Sequence, residues 1–180
     1  MRIFEGQPVP GKLALRFDNQ VAIVTGAGRG IGQATAQLFA QQGATVVLVD
    51  RLAAEGEASA AAIVAAGGQA SFMAADIIQP DQVERMVAHT LATYGQIDVL
   101  VNNAGINPSG LLWEMPLAMW YDVLNINLTG TFLCSRYTAP AMLDRGGAIV
   151  NVSSVLAQAT LAGQTAYAAS KAGLLGLTRA

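Results

Sequence analysis

The chain has 180 residues, 53% of them apolar and 12% charged, with a formal net charge of −2. That length suits a single domain with a sizeable core. The weak negative charge leaves no basic field for nucleic acid and no acidic tail. No stretch approaches the 18 or so uninterrupted apolar residues of a membrane-spanning helix, so no membrane partner is expected. The start, Met1 to Asp18, lacks the features of a secretory leader. With Pro8, Pro10 and Gly11 it reads as a flexible lead-in over residues 1–18, ahead of a domain over 19–180.

The first regular unit is Val21 to Val24, an apolar run that reads as a buried strand. It breaks into Gly26, Gly28, Gly30 and Gly32, and helix formers follow from Gln33 to Gln42. Strand, glycine turn and helix in that order set a helix N-terminus beyond a sheet edge, where free N–H groups and the helix dipole favour a phosphate. The general dinucleotide fingerprint G-x-G-x-x-G nevertheless fails, because its last position falls on Ile31 or Gln33. A tight connection without a ligand stays open on this stretch alone.

Ala44 to Val49 reads as a second buried strand, ended by Asp50. A helix over Ala53 to Ala66 stops at Gly67-Gly68. Gln69 to Ala75 is a weaker third strand ending at Asp76, and Pro80-Asp81 opens a helix to Tyr94. The fourth strand, Ile97 to Val101, runs into Asn102-Asn103-Ala104-Gly105. A long helix is expected from Leu117 to Leu143, with a break near Thr129-Gly130. Gly147 to Val152 is the fifth strand, followed by Ser153-Ser154, and a last helix begins near Thr165. Strands alternating with helices predict an α/β fold, a doubly wound parallel sheet of about five strands covered on both faces.

Such a sheet binds ligands beyond the carboxyl ends of its strands, and Gly26, Asp50, Asp76, Asn102 and Ser154 all fall there. Asp50 follows Gly30 at the spacing of an acid that accepts hydrogen bonds from an adenosine ribose. Its charge would repel a 2′-phosphate, so NAD is expected over NADP. Arg29 and Arg51 keep NADP open, since either could reach that phosphate. Asp76 and Ile77 suit adenine, carboxylate to amino group and isoleucine to ring; a turn cap before Pro80 explains Asp76 as well.

Tyr167 and Lys171, four apart in a predicted helix, share a face. An ammonium beside a phenol favours the phenolate, which can exchange a proton with an alcohol or carbonyl. Ser154, at a strand end, can hydrogen-bond the same substrate oxygen. Asn127, with Asn125 in an apolar helical stretch, needs partners; a local helix break holding a water would supply them. The sole histidine, His89, sits on a polar helical face. The sole cysteine, Cys134, lies in an apolar run and reads as core. Neither suggests a metal site, and no G-x-S-x-G elbow suggests a serine hydrolase. A single cysteine forms no internal disulfide and fits the reducing cytoplasm.

These residues together resemble the short-chain dehydrogenase/reductase family from about Asp18 to Ala180. Thr25-Gly26-x-x-x-Gly30-x-Gly32 matches that family's cofactor turn, which differs from the general fingerprint. Asn102-Asn103-Ala104-Gly105 matches its Asn-Asn-Ala-Gly motif, and Ser154, Tyr167 and Lys171 match its Ser…Tyr-x-x-x-Lys set, with Asn127 as the fourth member. The closest likeness is to the branch of oxoacyl-carrier-protein reductases and glucose or hydroxysteroid dehydrogenases.

The resemblance implies a Rossmann-type fold and hydride transfer between a nicotinamide and a small-molecule alcohol or carbonyl. Tyr167 would be the acid/base, Lys171 would lower its pKa and hold the nicotinamide ribose, Ser154 would orient the reacting oxygen, and Asn127 would hold a relay water. Gly26, Arg29, Gly30, Ile31, Gly32, Asp50, Arg51, Asp76, Ile77, Asn103, Ala104 and Gly105 would bind the cofactor. It further implies a homo-oligomer, dimer or tetramer. Family members run well beyond 180 residues, so the last two strands and the substrate lid are expected to be missing. A non-catalytic NAD(P)-binding fragment or pseudoenzyme is the alternative. A methyltransferase shares the glycine turn and acid but leaves Ser154, Tyr167 and Lys171 unexplained.

Overall fold

A computed structural model describes residues 16–180. Most of the lead-in expected over residues 1–18 therefore lies outside the described residues. The elements are β1 (Val21–Thr25), α1 (Gly30–Gln41), β2 (Thr45–Asp50), α2 (Ala53–Ala65), β3 (Gln69–Ala74), α3 (Pro80–Tyr94), β4 (Val99–Asn102), α4 (Leu117–Leu124), a π turn (Asn125–Thr129), α5 (Gly130–Thr138), a 3-10 turn (Ala139–Met142), β5 (Ala148–Asn151), a second 3-10 turn (Val155–Ala157) and α6 (Thr165–Arg179). All strand pairs are parallel, in the order β3-β2-β1-β4-β5. The chain reverses its direction of travel across the sheet between β1 and β4, and a crevice opens at their carboxyl ends.

The strands alternate between two cores, as a period of two requires. Ile23, Val47, Val49 and Leu100 face Val83 and Met86 of α3 and Cys134 of α5. Ala22, Val24, Val46, Leu48 and Val101 face Ala36 and Ala40 of α1 and Ala60 and Ile63 of α2. Alanine on α1 and α2 brings both helices close to the sheet. Gly56 of α2 lies over the Phe72 ring, where a Cβ would overlap it. This two-faced burial explains why β1 and β2 read as continuous apolar runs.

The long helix breaks where expected: a π turn over Asn125–Thr129 carries Asn127 and ends at Thr129-Gly130. Gly130 starts α5 at a close approach: a Cβ there would lie 2.6 Å from Ile77 Cδ1. Pro140, which has no N–H, falls in the tightened 3-10 turn that ends this helical run. β4 begins at Val99, two residues later than expected; Asp98 just before it is tied to β1 by its N–H, which donates to Val21 O (2.9 Å), and by its carboxylate, which accepts from Val21 N (2.7 Å).

Cys134 is fully buried, and burial pushes its thiol up to about 12. At pH 8 the folded protein then holds almost no thiolate. An aromatic disulfide reagent is expected to label this thiol only as fast as the protein unfolds, and immediate labelling in native buffer would contradict the placement.

Candidate active site

Across the carboxyl ends of β1, β2, β4 and β5 runs a cleft of about 520 Å³, within the roughly 300–1,000 Å³ of small-molecule sites. Gly26, Arg29, Ile31, Asp50, Arg51, Asp76, Ile77, Asn103, Ala104, Gly105, Ser154, Tyr167 and Lys171 all line it. Gly30, Gly32 and Asn127 do not. Gly32 and Asn127 are buried beside the cleft and shape its walls.

The glycine turn is locked to β4. Gly26 has φ +64°, and a Cβ there would lie 2.7 Å from Ala104 Cα, so only glycine fits. Asn103 Nδ2 donates to Thr25 O (3.0 Å) and Gly26 O (3.1 Å). Thr25 Oγ1 accepts from the N–H groups of Asn103 (3.1 Å) and Ala104 (3.2 Å). The N-cap of α1, Arg29, provides no side-chain cap, and the first turn carries no acid. The first N–H groups of α1 are thus left to an anion in the cleft.

Asp50 is held by the turn it faces. Its Oδ2 accepts from Gly28 N (2.9 Å) and its Oδ1 from Leu52 N (3.1 Å). Each oxygen keeps a lone pair for a ligand hydroxyl. Asp76 Oδ1 accepts from Ile78 N (3.2 Å), so the expected turn cap is formed. Ile77 is only 7% exposed and belongs to the core cluster with Val83 and Met86, which leaves little of its side chain for an adenine ring.

On the far wall, α6 carries Tyr167 and Lys171 one turn apart. Lys171 Nζ donates to Val152 O at 2.6 Å and lies 5.7 Å from the Tyr167 ring centroid. Its burial lowers the ammonium pKa, since desolvation disfavours the charged form. Ser154 Oγ accepts from Leu156 N (3.1 Å), capping the 3-10 turn and leaving its O–H free to donate. Ser153 Oγ donates to Lys171 O (2.9 Å), tying the strand end to the helix.

Asn127 sits behind this wall in the π turn. Its Oδ1 accepts from Ile106 N (2.8 Å), and its Nδ2 donates to Ile106 O (3.0 Å) and Ser170 Oγ (3.0 Å). Ser170 Oγ in turn donates to Tyr167 O (2.7 Å). The partners expected of this buried Asn are thus protein groups. A Cβ at Gly105 would lie 3.1 Å from Asn127 Oδ1 and 3.7 Å from Lys171 Nζ, so glycine keeps open the space between them.

Sequence reasoning quoted Thr25 within the glycine turn and Ser153 at a strand end but gave neither a role, and it missed Ser170. A hydroxyl at each of two strand ends was the available signal for the first two. For Ser170 it was a polar residue on the inner face of a helix otherwise rich in Ala, Gly and Leu. Among the described residues no cluster of His, Cys, Asp and Glu could hold a metal, and no helix is long and apolar enough to cross a membrane.

The profile of the family described as short chain dehydrogenase matches residues 20–180. A 3-oxoacyl-[acyl-carrier-protein] reductase from Synechocystis sp. is 43% identical over 162 residues, covering 89% of this chain and 66% of that protein. A 3beta-hydroxysteroid dehydrogenase from Mediterraneibacter gnavus is 43% identical over 166 residues, covering 92% of this chain and 60% of its own length. The chain thus spans less than two thirds of the length of these curated relatives. The crystal structure of a short chain dehydrogenase from Mycobacterium smegmatis superposes with a TM-score of 0.88 at 34% identity, covering 91% of this chain and 70% of that one. With the profile spanning nearly the whole described chain, and a Rossmann-type parallel sheet carrying the glycine turn and the Tyr-Lys pair, the chain belongs to the short-chain dehydrogenase family.

Proposed function

We propose that this protein is an NAD(P)-dependent oxidoreductase acting on a secondary alcohol or the corresponding carbonyl. The observation that carries the reading is the meeting, in one cleft, of an uncapped helix N-terminus, a phenol beside a buried ammonium, and a serine hydroxyl free to donate. The residues fit a dinucleotide. Gly26 and Gly32 make a cradle that a Cβ would fill, the α1 N–H groups suit a pyrophosphate, and Asp50 suits a ribose. When bound, the nicotinamide supplies the hydride chemistry.

The protein's own work is positional and electrostatic. Ser154 donates to the reacting oxygen and fixes it near Tyr167. The Tyr167 phenolic oxygen gives up a proton in reduction and takes one in oxidation. Lys171 spends one N–H on Val152 O and keeps two for the nicotinamide ribose and for charge developing on the phenolic oxygen. Asn127 fixes the Ile106 wall and is the residue proposed to hold a relay water on the way to Lys171. Titration with NADH, followed by turnover of a carbonyl panel, tests the reading. Binding without any turnover would instead make the protein a non-catalytic nucleotide binder.

NAD is the proposed cofactor over NADP, on the placement of the Asp50 carboxylate. Removing its charge in Asp50→Asn is expected to weaken NADH binding by roughly tenfold or more, the value of about 1.5–3 kcal/mol for a charge-assisted hydrogen bond. NADPH binding should hold or improve as repulsion of the 2′-phosphate disappears. A wild-type protein using NADPH at least as well as NADH would reverse the assignment. We also place the protein in the cytoplasm as a homodimer or homotetramer, assembled through the exposed Leu117, Tyr121 and Phe132 of α4 and α5; sedimentation velocity reads that state directly.

A further inference from the structure

Resting on the NAD-dependent reading above, we propose that Ser59, a buried serine in the middle of α2, is a positioning residue for cofactor selection. Acting through Gly28, it fixes the Asp50 carboxylate that distinguishes NADH from NADPH. A Cβ at Gly28 would lie 3.0 Å from Asp50 Oδ2, so glycine lets the carboxylate close on this turn. A residue without a side chain does little to restrict its own φ and ψ. Gly28 is instead held from outside at both of its polar groups. Its N–H donates to Asp50 Oδ2 (2.9 Å), and its carbonyl accepts from Ser59 Oγ (2.9 Å). Asp50 Oδ1 accepts from the N–H of Leu52, the N-cap of α2 (3.1 Å). Turn, carboxylate and α2 thus close a ring, and the Ser59 hydroxyl is the link that completes it.

The direction of that hydroxyl is unusual for this chain. Ser59 is 1% exposed. Thr90, Thr131, Ser135 and Thr178 each donate to the carbonyl four residues earlier in their own helical run, the common arrangement for a hydroxyl inside a helix. Ser59 donates out of α2 instead, and Gln33 of α1 supports that direction. A carbonyl can only accept, so the single Ser59 proton lies toward Gly28 O, and Gln33 presents its NH2 group to the hydroxyl oxygen at 2.7 Å. Both partners of Ser59 therefore belong to the glycine turn and the helix that follows it. Without the Ser59 oxygen, the Gly28 carbonyl loses its donor and the glycine is free to rotate. The N–H that grips Asp50 Oδ2 moves with it, and the carboxylate is then held chiefly from Leu52 N.

The test places Ser59→Ala in the wild-type and Asp50→Asn backgrounds and titrates each with NADH and with NADPH, alongside amide hydrogen exchange of the cofactor-free protein. Residues in one network have non-additive effects, so Ser59→Ala should weaken NADH binding about tenfold in the wild type but no more than about twofold beside Asp50→Asn. NADPH binding should fall by less than NADH binding, which narrows the preference between them. Exchange at the Gly28 amide should quicken about tenfold while the buried β2 amides of Val46 and Leu48 keep their rates, the pattern of a local opening. Gln33→Met, which removes the NH2 group that supports the hydroxyl, should move the same readouts in the same direction by a smaller factor. Equal loss of NADH affinity in both backgrounds, equal loss for both nucleotides, or unchanged exchange at Gly28 would overturn the assignment and leave the oxidoreductase reading standing. A wild-type chain that binds neither nucleotide would overturn that reading and this assignment together.

Discussion

Tyr167→Phe is expected to lower turnover by about 10²–10⁴, the usual contribution of a positioned general acid or base, with NADH affinity essentially unchanged. The substitution removes one oxygen from a ring that remains packed on α6. Lys171 keeps its place, because its hydrogen bond runs to Val152 O and not to the phenol. Ser154 also stays put, since Leu156 N holds its Oγ. The variant therefore isolates proton transfer from binding. Lys171→Met should behave differently and weaken both turnover and NADH binding, because it takes away the charge together with the donors proposed for the ribose. Steady-state rates with NADH fluorescence titration separate the two patterns. Turnover of Tyr167→Phe near the wild-type rate would remove Tyr167 from the mechanism.

What the sequence made legible follows the distance over which residues act. Val21–Thr25 and Thr45–Asp50 were readable because burial on both faces demands unbroken apolar runs, a property of the strand itself. Asp50 and Asn103 were readable because the ends of parallel strands are where a doubly wound sheet gathers its polar groups. Apart from the family resemblance, Asn127 was readable only as a need for partners. Its partners, Ile106 and Ser170, lie 21 and 43 residues away, and no local pattern announces either bond. The break in the long helix was readable near Thr129-Gly130 and at Asn127, but not the form it takes. Gly130 serves a close approach to Ile77, and the π turn that ends at Thr129 carries the Asn127 amide bonded to Ile106. Ile77 shows the converse. Its position after β3 placed it at the cleft, yet packing against α3 and α5 turned most of the side chain into the core.

The glycine turn carries the second large effect. Gly32→Ala is expected to destabilise the protein by about 1–3 kcal/mol, the range for overpacking a filled interior, and to cut NADH affinity more sharply than that loss alone implies. The added Cβ would overlap Gly26 O and lie 2.5 Å from Asn103 Nδ2. Gly26 O belongs to backbone, so relief requires the turn itself to move. Moving it strains the bonds from Asn103 to Thr25 O and Gly26 O and shifts the α1 N–H groups away from the point they share. Gly30→Ala supplies the comparison. Nothing lies within 4 Å of a Cβ at Gly30, and its φ is +61°. That variant should lose about 1–2 kcal/mol to left-handed backbone strain but leave the β1–β4 lacing intact. Urea unfolding and NADH titration of both variants distinguish a blocked cradle from a strained turn. If Gly32→Ala unfolds with the wild type and binds NADH as tightly, the close packing of this turn against β4 does not shape the cofactor site.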